Sequence, residues 1–176
     1  MKVNTFQHLQ QIYQKFGSRI FGKLAQKLLA ISFIDVGFDH VVERSVQGVD
    51  VDAANLEGDR YALEVKTTSR QSIPMSEENI EALKDRAKDS YIPIIAALRV
   101  HMFENWVFAR IPLSDLRPGS LSISRLRAYR IKSLETLVCS IFEEVVNEHY
   151  SGVLERGEHY LDQVLDQKRG TILSKE

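Results

Sequence analysis

Ten residues near the middle of the chain, Tyr91–Val100, constrain its fold most. They read YIPIIAALRV, with Arg99 as the single charge. A strand with one wet face alternates apolar and polar residues. A strand this uniformly apolar is expected at the centre of a sheet, covered on both faces. Periodicity on either side supplies the cover. Over residues 4–33, Phe6, Leu9, Ile12, Tyr13, Phe16, Ile20, Phe21, Leu24, Leu28 and Leu29 recur at three- and four-residue steps, which predicts helix. Gly17-Ser18 is expected to divide it in two.

His40–Ser45 follows the turn signal Gly37 and reads as a first strand. Gly48–Leu56 and Tyr61–Thr68 then read as two strands around Glu57-Gly58-Asp59, a hairpin signature. Ser76 is placed to cap a helix with Glu77 and Glu78 in its first turn and Lys84, Arg86 and Lys88 in its last, the order the helix dipole favours. Ile80, Leu83 and Ala87 are its buried stripe. Trp106–Ile111 is a further strand. The order is helix, three strands, helix, two strands, in an α/β domain over residues 1–132. Residues 133–176 form a helical extension with apolar Leu134, Leu137, Val138, Ile141, Phe142 and Val145, broken at Ser151-Gly152 or at Gly157.

Composition excludes several classes. The chain has 176 residues, 44% hydrophobic and 27% charged, which is not the signature of a disordered, collagen-like or disulfide-stapled protein. Its first ten residues lack the apolar block of an export signal, no apolar run approaches a membrane span, and Cys139 stands alone. A cytoplasmic protein is expected. The net charge of −1 hides an asymmetry: residues 1–132 carry 19 Lys/Arg against 15 Asp/Glu, residues 133–176 carry 4 against 9. Arg117, Arg125, Arg127, Arg130 and Lys132 form a stretch without an acid, a local field suited to a polyanion.

The segment that carries chemistry is Gly48–Thr68, GVDVDAANLEGDRYALEVKTT. Asp50 and Asp52 share one face of a strand; Glu64, Lys66 and Thr68 share a face of the next. A three-residue loop at Glu57–Asp59 would pair Asp52 with Glu64 and Asp50 with Lys66, gathering all four charges on one patch. A two-residue loop would split them between faces. Charges on half-buried strands are costly unless paired or metal-bound, and Mg²⁺ favours a few carboxylate oxygens with several waters retained. The competing reading is an amphipathic hairpin with a solvated, cross-paired outer face.

With Gly17–Pro112 around it, this motif resembles the PD-(D/E)XK nuclease superfamily, nearest to the archaeal Holliday-junction resolvases and related restriction-type endonucleases. The residues that carry the resemblance are Val41-Val42-Glu43-Arg44, Gly48-Val49-Asp50-Val51 and Glu64-Val65-Lys66, in the order helix, strand, hairpin, helix, apolar strand. It implies a restriction-endonuclease-like α-β-β-β-α-β core with a C-terminal helical extension. It also implies Mg²⁺ or Mn²⁺ held by Asp50, Glu64 and the Val65 carbonyl, with Lys66 as the catalytic lysine. The resemblance thus points to a metal-dependent endonuclease acting on double-stranded or branched DNA. The alternative is a catalytically degenerate module that binds nucleic acid or partners without cutting. The family's first-helix glutamate has no counterpart in Gly22–Lys27; Gln26 or Asp52 would stand in for it, and the choice between Asp50 and Asp52 as first acid stays open.

Further candidates lie outside this motif. Arg125, Arg127, Arg130 and Lys132, with Tyr129 among them, resemble a phosphate-gripping element, but alternation equally fits an exposed strand; Arg70 extends the same surface. The five histidines lack metal-ligand spacing. Cys139 falls on an apolar helix face and is expected to be packed. The acidic C-terminal stripe is expected to bury either on its own core or against a second copy, giving a homodimer with paired sites.

Overall fold

The computed structural model describes residues 1–43 and 48–173. Helix α1 (Val3–Val36) is interrupted at Gly17, whose φ of 73° and ψ of 171° are not helical, so the expected break is present. It ends at Gly37, left-handed at φ 110°, whose N–H reaches the carbonyls of Ile34 and Phe33. Strands β1 (His40–Glu43), β2 (Val51–Ala54) and β3 (Arg60–Thr68) form an antiparallel meander. Arg44 and Ser45, assigned above to the first strand, lie outside the described residues. After β4 (Ser72–Met75), helix α2 (Glu77–Lys88) begins at Ser76, whose hydroxyl accepts from the Asn79 N–H while Asn79 reciprocates. Strand β5 (Ile92–Arg99) then runs parallel to β3, and β6 (Val107–Ala109) antiparallel to β5, giving the sheet order β1-β2-β3-β5-β6. This is the α-β-β-β-α-β core with one short strand added.

The apolar run is the central strand its composition requires. Ile94, Ala96 and Leu98 of β5 enter one core, shared with α1; Tyr91, Ile95 and Ala97 enter the other, with Ile80 and Leu83 of α2. Each residue step changes face, so apolar side chains are needed at every position.

The second half departs from expectation in two places. Strand β7 (Gly119–Ser122) pairs antiparallel with β4 in a separate two-stranded ribbon, and neither strand was legible in the sequence. The SRLRAYRIK stretch is not an exposed strand: Ser122 caps a helix, α3 (Ile123–Ala128), by accepting from the Arg125 N–H. Of the two breaks expected in the C-terminal segment, the one at Gly157 (φ 60°) is present, dividing it into α4 (Lys132–Arg156) and α5 (Glu158–Leu173), while Gly152 lies within α4. Gly152 has a packing role instead. A Cβ there would lie 2.4 Å from the Tyr160 ring, so α4 and α5 approach through the missing side chain.

The apolar stripe of α4 does not wait for a second copy. Leu134, Val138, Phe142 and Val145 are buried in the core formed with α1 and the sheet, Ile141 packs at its edge, and only Leu137 of the stripe is exposed. The dimer expected from that stripe loses its physical basis, because α1 of the same chain already covers it. Among the described residues no helix is long and apolar enough to cross a membrane.

Candidate metal centre

The hairpin register decides which acids meet. Asn55 and Asp59 close the turn by exchanging hydrogen bonds: the Asn55 side-chain carbonyl accepts from the Asp59 N–H at 2.8 Å, and the Asp59 carbonyl accepts from the Asn55 N–H at 3.0 Å. The loop therefore spans Asn55–Asp59, not three residues. Ala54 pairs with Arg60 and Asp52 with Ala62, two residues displaced from the expected register. An even displacement keeps every side chain on its face. It replaces the predicted Asp52–Glu64 pairing by Asp52–Ala62, and continuing it by two residues sets Asp50, just before β2, opposite Glu64.

Asp50, Glu64 and Lys66 consequently converge. Asp50 Oδ2 accepts from the Val65 N–H at 2.7 Å, just past the end of the β2–β3 pairing. Lys66 Nζ lies 2.6 Å from Glu64 Oε1. Glu64 is 1% exposed, and its Oε2 has no hydrogen-bond partner. Burial, then the Asp50 charge, pushes the Glu64 carboxyl up to about 7, with Lys66 opposing. Burial also raises Asp50, against the pull of the Val65 N–H and Lys66, and Glu43 adds to the rise. Two carboxylates that disfavour each other's charge in a half-dry site are a surface that gains from a cation.

Asp52 does not join them. It is 1% exposed and receives both Arg86 Nε (3.0 Å to Oδ1) and Arg86 Nη2 (2.7 Å to Oδ2), a bidentate pair that ties α2 to the sheet. The Arg86 guanidinium also lies 4.1 Å from the centre of the Tyr91 ring. Gln26 does reach the site, as a donor: its amide nitrogen is 3.1 Å from the Asp50 carbonyl and 2.9 Å from Glu43 Oε1. Val65 buries its side chain in the α1 core.

Two residues of this centre were missed. Glu43 sits at the end of β1, adjacent in the sheet to the segment carrying Asp50, and Lys27 Nζ binds its Oε2 at 3.1 Å. Lys27 also contacts Asp162 of α5 at 2.6 Å and is 4% exposed. Burial alone would lower the Lys27 ammonium; Asp162 and Glu43 outweigh it and hold it above its ordinary value. The C-terminal extension is thereby wired to the centre through Lys27, Glu43 and Gln26. The signal that would have found Glu43 is a charged residue closing an apolar strand beside the Asp50 segment.

The predicted phosphate-binding residues are mostly engaged elsewhere. Arg127 Nη2 lies 2.7 Å from Glu104 Oε2, Arg130 pairs with Glu135, and Arg125 Nη2 donates to the Asp115 carbonyl at 2.9 Å. Lys132 is exposed at the start of α4, and Arg70 is exposed beyond β3. His101 is bound to Gln10, and Cys139 is buried, its thiol pushed up to about 12 by burial, then by the charges of Glu135 and Glu143.

Mg²⁺ is satisfied by one or two protein carboxylates plus waters, and an unpartnered, buried carboxylate oxygen is the kind of ligand such an ion takes. Asp50 and Glu64 fit that requirement. Among the described residues no group of three or more His, Cys, Asp or Glu side chains gathers closely enough to hold an ion alone.

No protein-family model and no curated protein matches the chain. Among solved structures, it is similar to Hjc of Archaeoglobus fulgidus, a Holliday junction resolvase from an archaeal hyperthermophile. The two share 18% identity over 61% of this chain and 89% of that one, with a TM-score of 0.49.

Proposed function

We propose that the protein is a metal-dependent DNA endonuclease, with Asp50 and Glu64 as the carboxylate ligands of Mg²⁺ or Mn²⁺ and Lys66 as the catalytic cation. The observation that carries this reading is Glu64: a buried carboxylate with one oxygen on Lys66, the other without a partner, and Asp50 as its like-charged neighbour. A purely structural hairpin has no use for that arrangement, since both acids disfavour their own ionisation there.

When bound, the ion would polarise a phosphate oxygen and make a water more acidic. The chain's own groups do the rest. The Val65 N–H orients Asp50, and the Val65 carbonyl is the third oxygen we assign to the ion. Gln26 fixes the Asp50 main chain. The Lys66 ammonium holds the attacking water or the phosphate oxygen on which charge accumulates. Glu64 sets the position of that ammonium. Asp52 is left out of this scheme because it docks α2 through Arg86.

The test is incubation of purified protein with linear, flapped and four-way DNA in Mg²⁺, in Mn²⁺ and in EDTA, beside Asp50→Ala. Metal-dependent cutting lost in Asp50→Ala supports the reading, and preference for flapped or four-way DNA makes the enzyme structure-selective. No cutting of any substrate, with binding retained, marks the chain as a catalytically degenerate binding module.

A further inference from the structure

A cleft of about 590 Å³ opens where β3 leaves the metal centre. Thr67 and Thr68, the residues after Lys66, line it; Tyr13 and Ser18 line it from either side of the Gly17 break in α1; Ser72 and Ser120 line it from the β4–β7 ribbon. Helix α1 passes close to this wall, for a Cβ on Gly22 would lie 3.5 Å from Thr67 Oγ1. Arg70 is also part of the lining, and among the described residues no carboxylate is. Among the described residues Arg70 has no ion-pair partner, in contrast to Arg127 and Arg130, which have one each. The lining thus combines serine and threonine hydroxyls, the Arg70 guanidinium and the Tyr13 ring with apolar Pro74, Met75 and Val100; the Thr68 hydroxyl is already engaged, donating to the Ser72 carbonyl at 3.0 Å.

That is the chemistry of a sugar–phosphate chain. Hydroxyls and guanidinium grip phosphate oxygens without reading sequence, and a tyrosine offers a base a face to stack on. Position agrees with composition. At about 3.3 Å per residue along a strand, Thr68 lies roughly 7 Å beyond Lys66, the distance of the next phosphate or two from one held at the metal centre. Size narrows the ligand further. A few hundred Å³ is the volume of a small-molecule site, which takes one or two nucleotides and not a duplex.

We propose that this cleft binds an unpaired strand of DNA, continuous with the phosphate held at Asp50, Glu64 and Lys66. The proposal rests on the hydrolytic reading above for its direction, and it adds the substrate class: DNA with a single-stranded segment beside the scissile bond. The β4–β7 ribbon, invisible in the sequence, is then one bank of the substrate channel.

The experiment measures binding without cleavage. A fluorescein-labelled eight-nucleotide single strand, and a blunt duplex of the same sequence, are titrated in EDTA with the full chain, with Arg70→Ala and with Ser120→Glu. Both substitutions are at exposed positions, and thermal melts check that each variant is folded. The expected result is single-strand affinity lower by about tenfold in each variant, with the duplex little affected. Single-strand binding unchanged in both folded variants overturns the proposal. So does equal loss for duplex and single strand, which would mean a general electrostatic surface. Because no metal is present, the outcome is independent of cutting: Arg70-dependent single-strand binding by a chain that cuts nothing would uphold the cleft and refute the nuclease.

Discussion

Lys66 Nζ stands 2.6 Å from Glu64 Oε1, while Glu64 Oε2 is buried with no partner of its own. One carboxylate is thus half neutralised by an ammonium and half exposed to the charge of Asp50. This tension sets both the chemistry available to the centre and its cost to folding.

The cost has a pH signature. Glu64 is held at about 7 against an ordinary 4.5. An acid with a raised folded-state pKa binds its proton more tightly in the folded chain. Its contribution is fully present below about pH 4.5 and is lost as pH rises through 7, by as much as about 3 kcal/mol. Urea midpoints measured from pH 5 to pH 8 should fall more steeply for the parent than for Glu64→Gln. Parallel curves would mean that Glu64 ionises normally.

A divalent cation should reverse that loss. Mg²⁺ or Mn²⁺ at a hundred times its dissociation constant adds about 2.7 kcal/mol, which for a domain of this size is a rise in Tm of about 5–10 °C. The rise should be larger at pH 8 than at pH 6, where Glu64 still carries its proton. It should vanish in Asp50→Asn and persist in Arg70→Ala. Equal rises in all three proteins would place the ion elsewhere.

The C-terminal helices should behave as core. Phe142 is fully buried against α1 and the Trp106 ring, 5.5 Å away between centroids. Phe142→Ala should cost about 3–5 kcal/mol in a denaturant titration, whereas Leu137→Ala, exposed on the same helix, should change stability by less than about 0.5 kcal/mol. Sedimentation should be the same for the parent and both variants. A shift of oligomeric state on mutating Phe142 would restore the intermolecular role.

How far the sequence could be read depended on whether the deciding force was periodic. The apolar run of β5, the helix break at Gly17, the Ser76 cap and the face shared by Asp50, Glu64 and Lys66 were legible, because burial and capping act on neighbours a few residues apart. The hairpin register was not: it is fixed by hydrogen bonds between Asn55 and Asp59 that lengthen the loop by two residues. Asp52 lay on the predicted face, yet its partner Arg86 is 34 residues away, and no local pattern announces such a pairing. β4 and β7 were missed because each is short and interrupted by proline, glycine or serine. The covering of α4 by α1 joins the two ends of the chain, where a stripe alone cannot say which apolar surface it meets.

Asp50 and Glu64 are assigned to the ion and Lys66 to the phosphate, a division of labour that two variants separate. Single-turnover cleavage by Lys66→Met and Asp50→Asn, with Mn²⁺ binding measured by calorimetry on the same proteins, tests it most directly. Lys66→Met should still bind Mn²⁺ but cut about 10²–10³-fold more slowly, and Asp50→Asn should lose both binding and cutting. Cleavage by Lys66→Met at the parental rate, or by Asp50→Asn in the presence of EDTA, would contradict it.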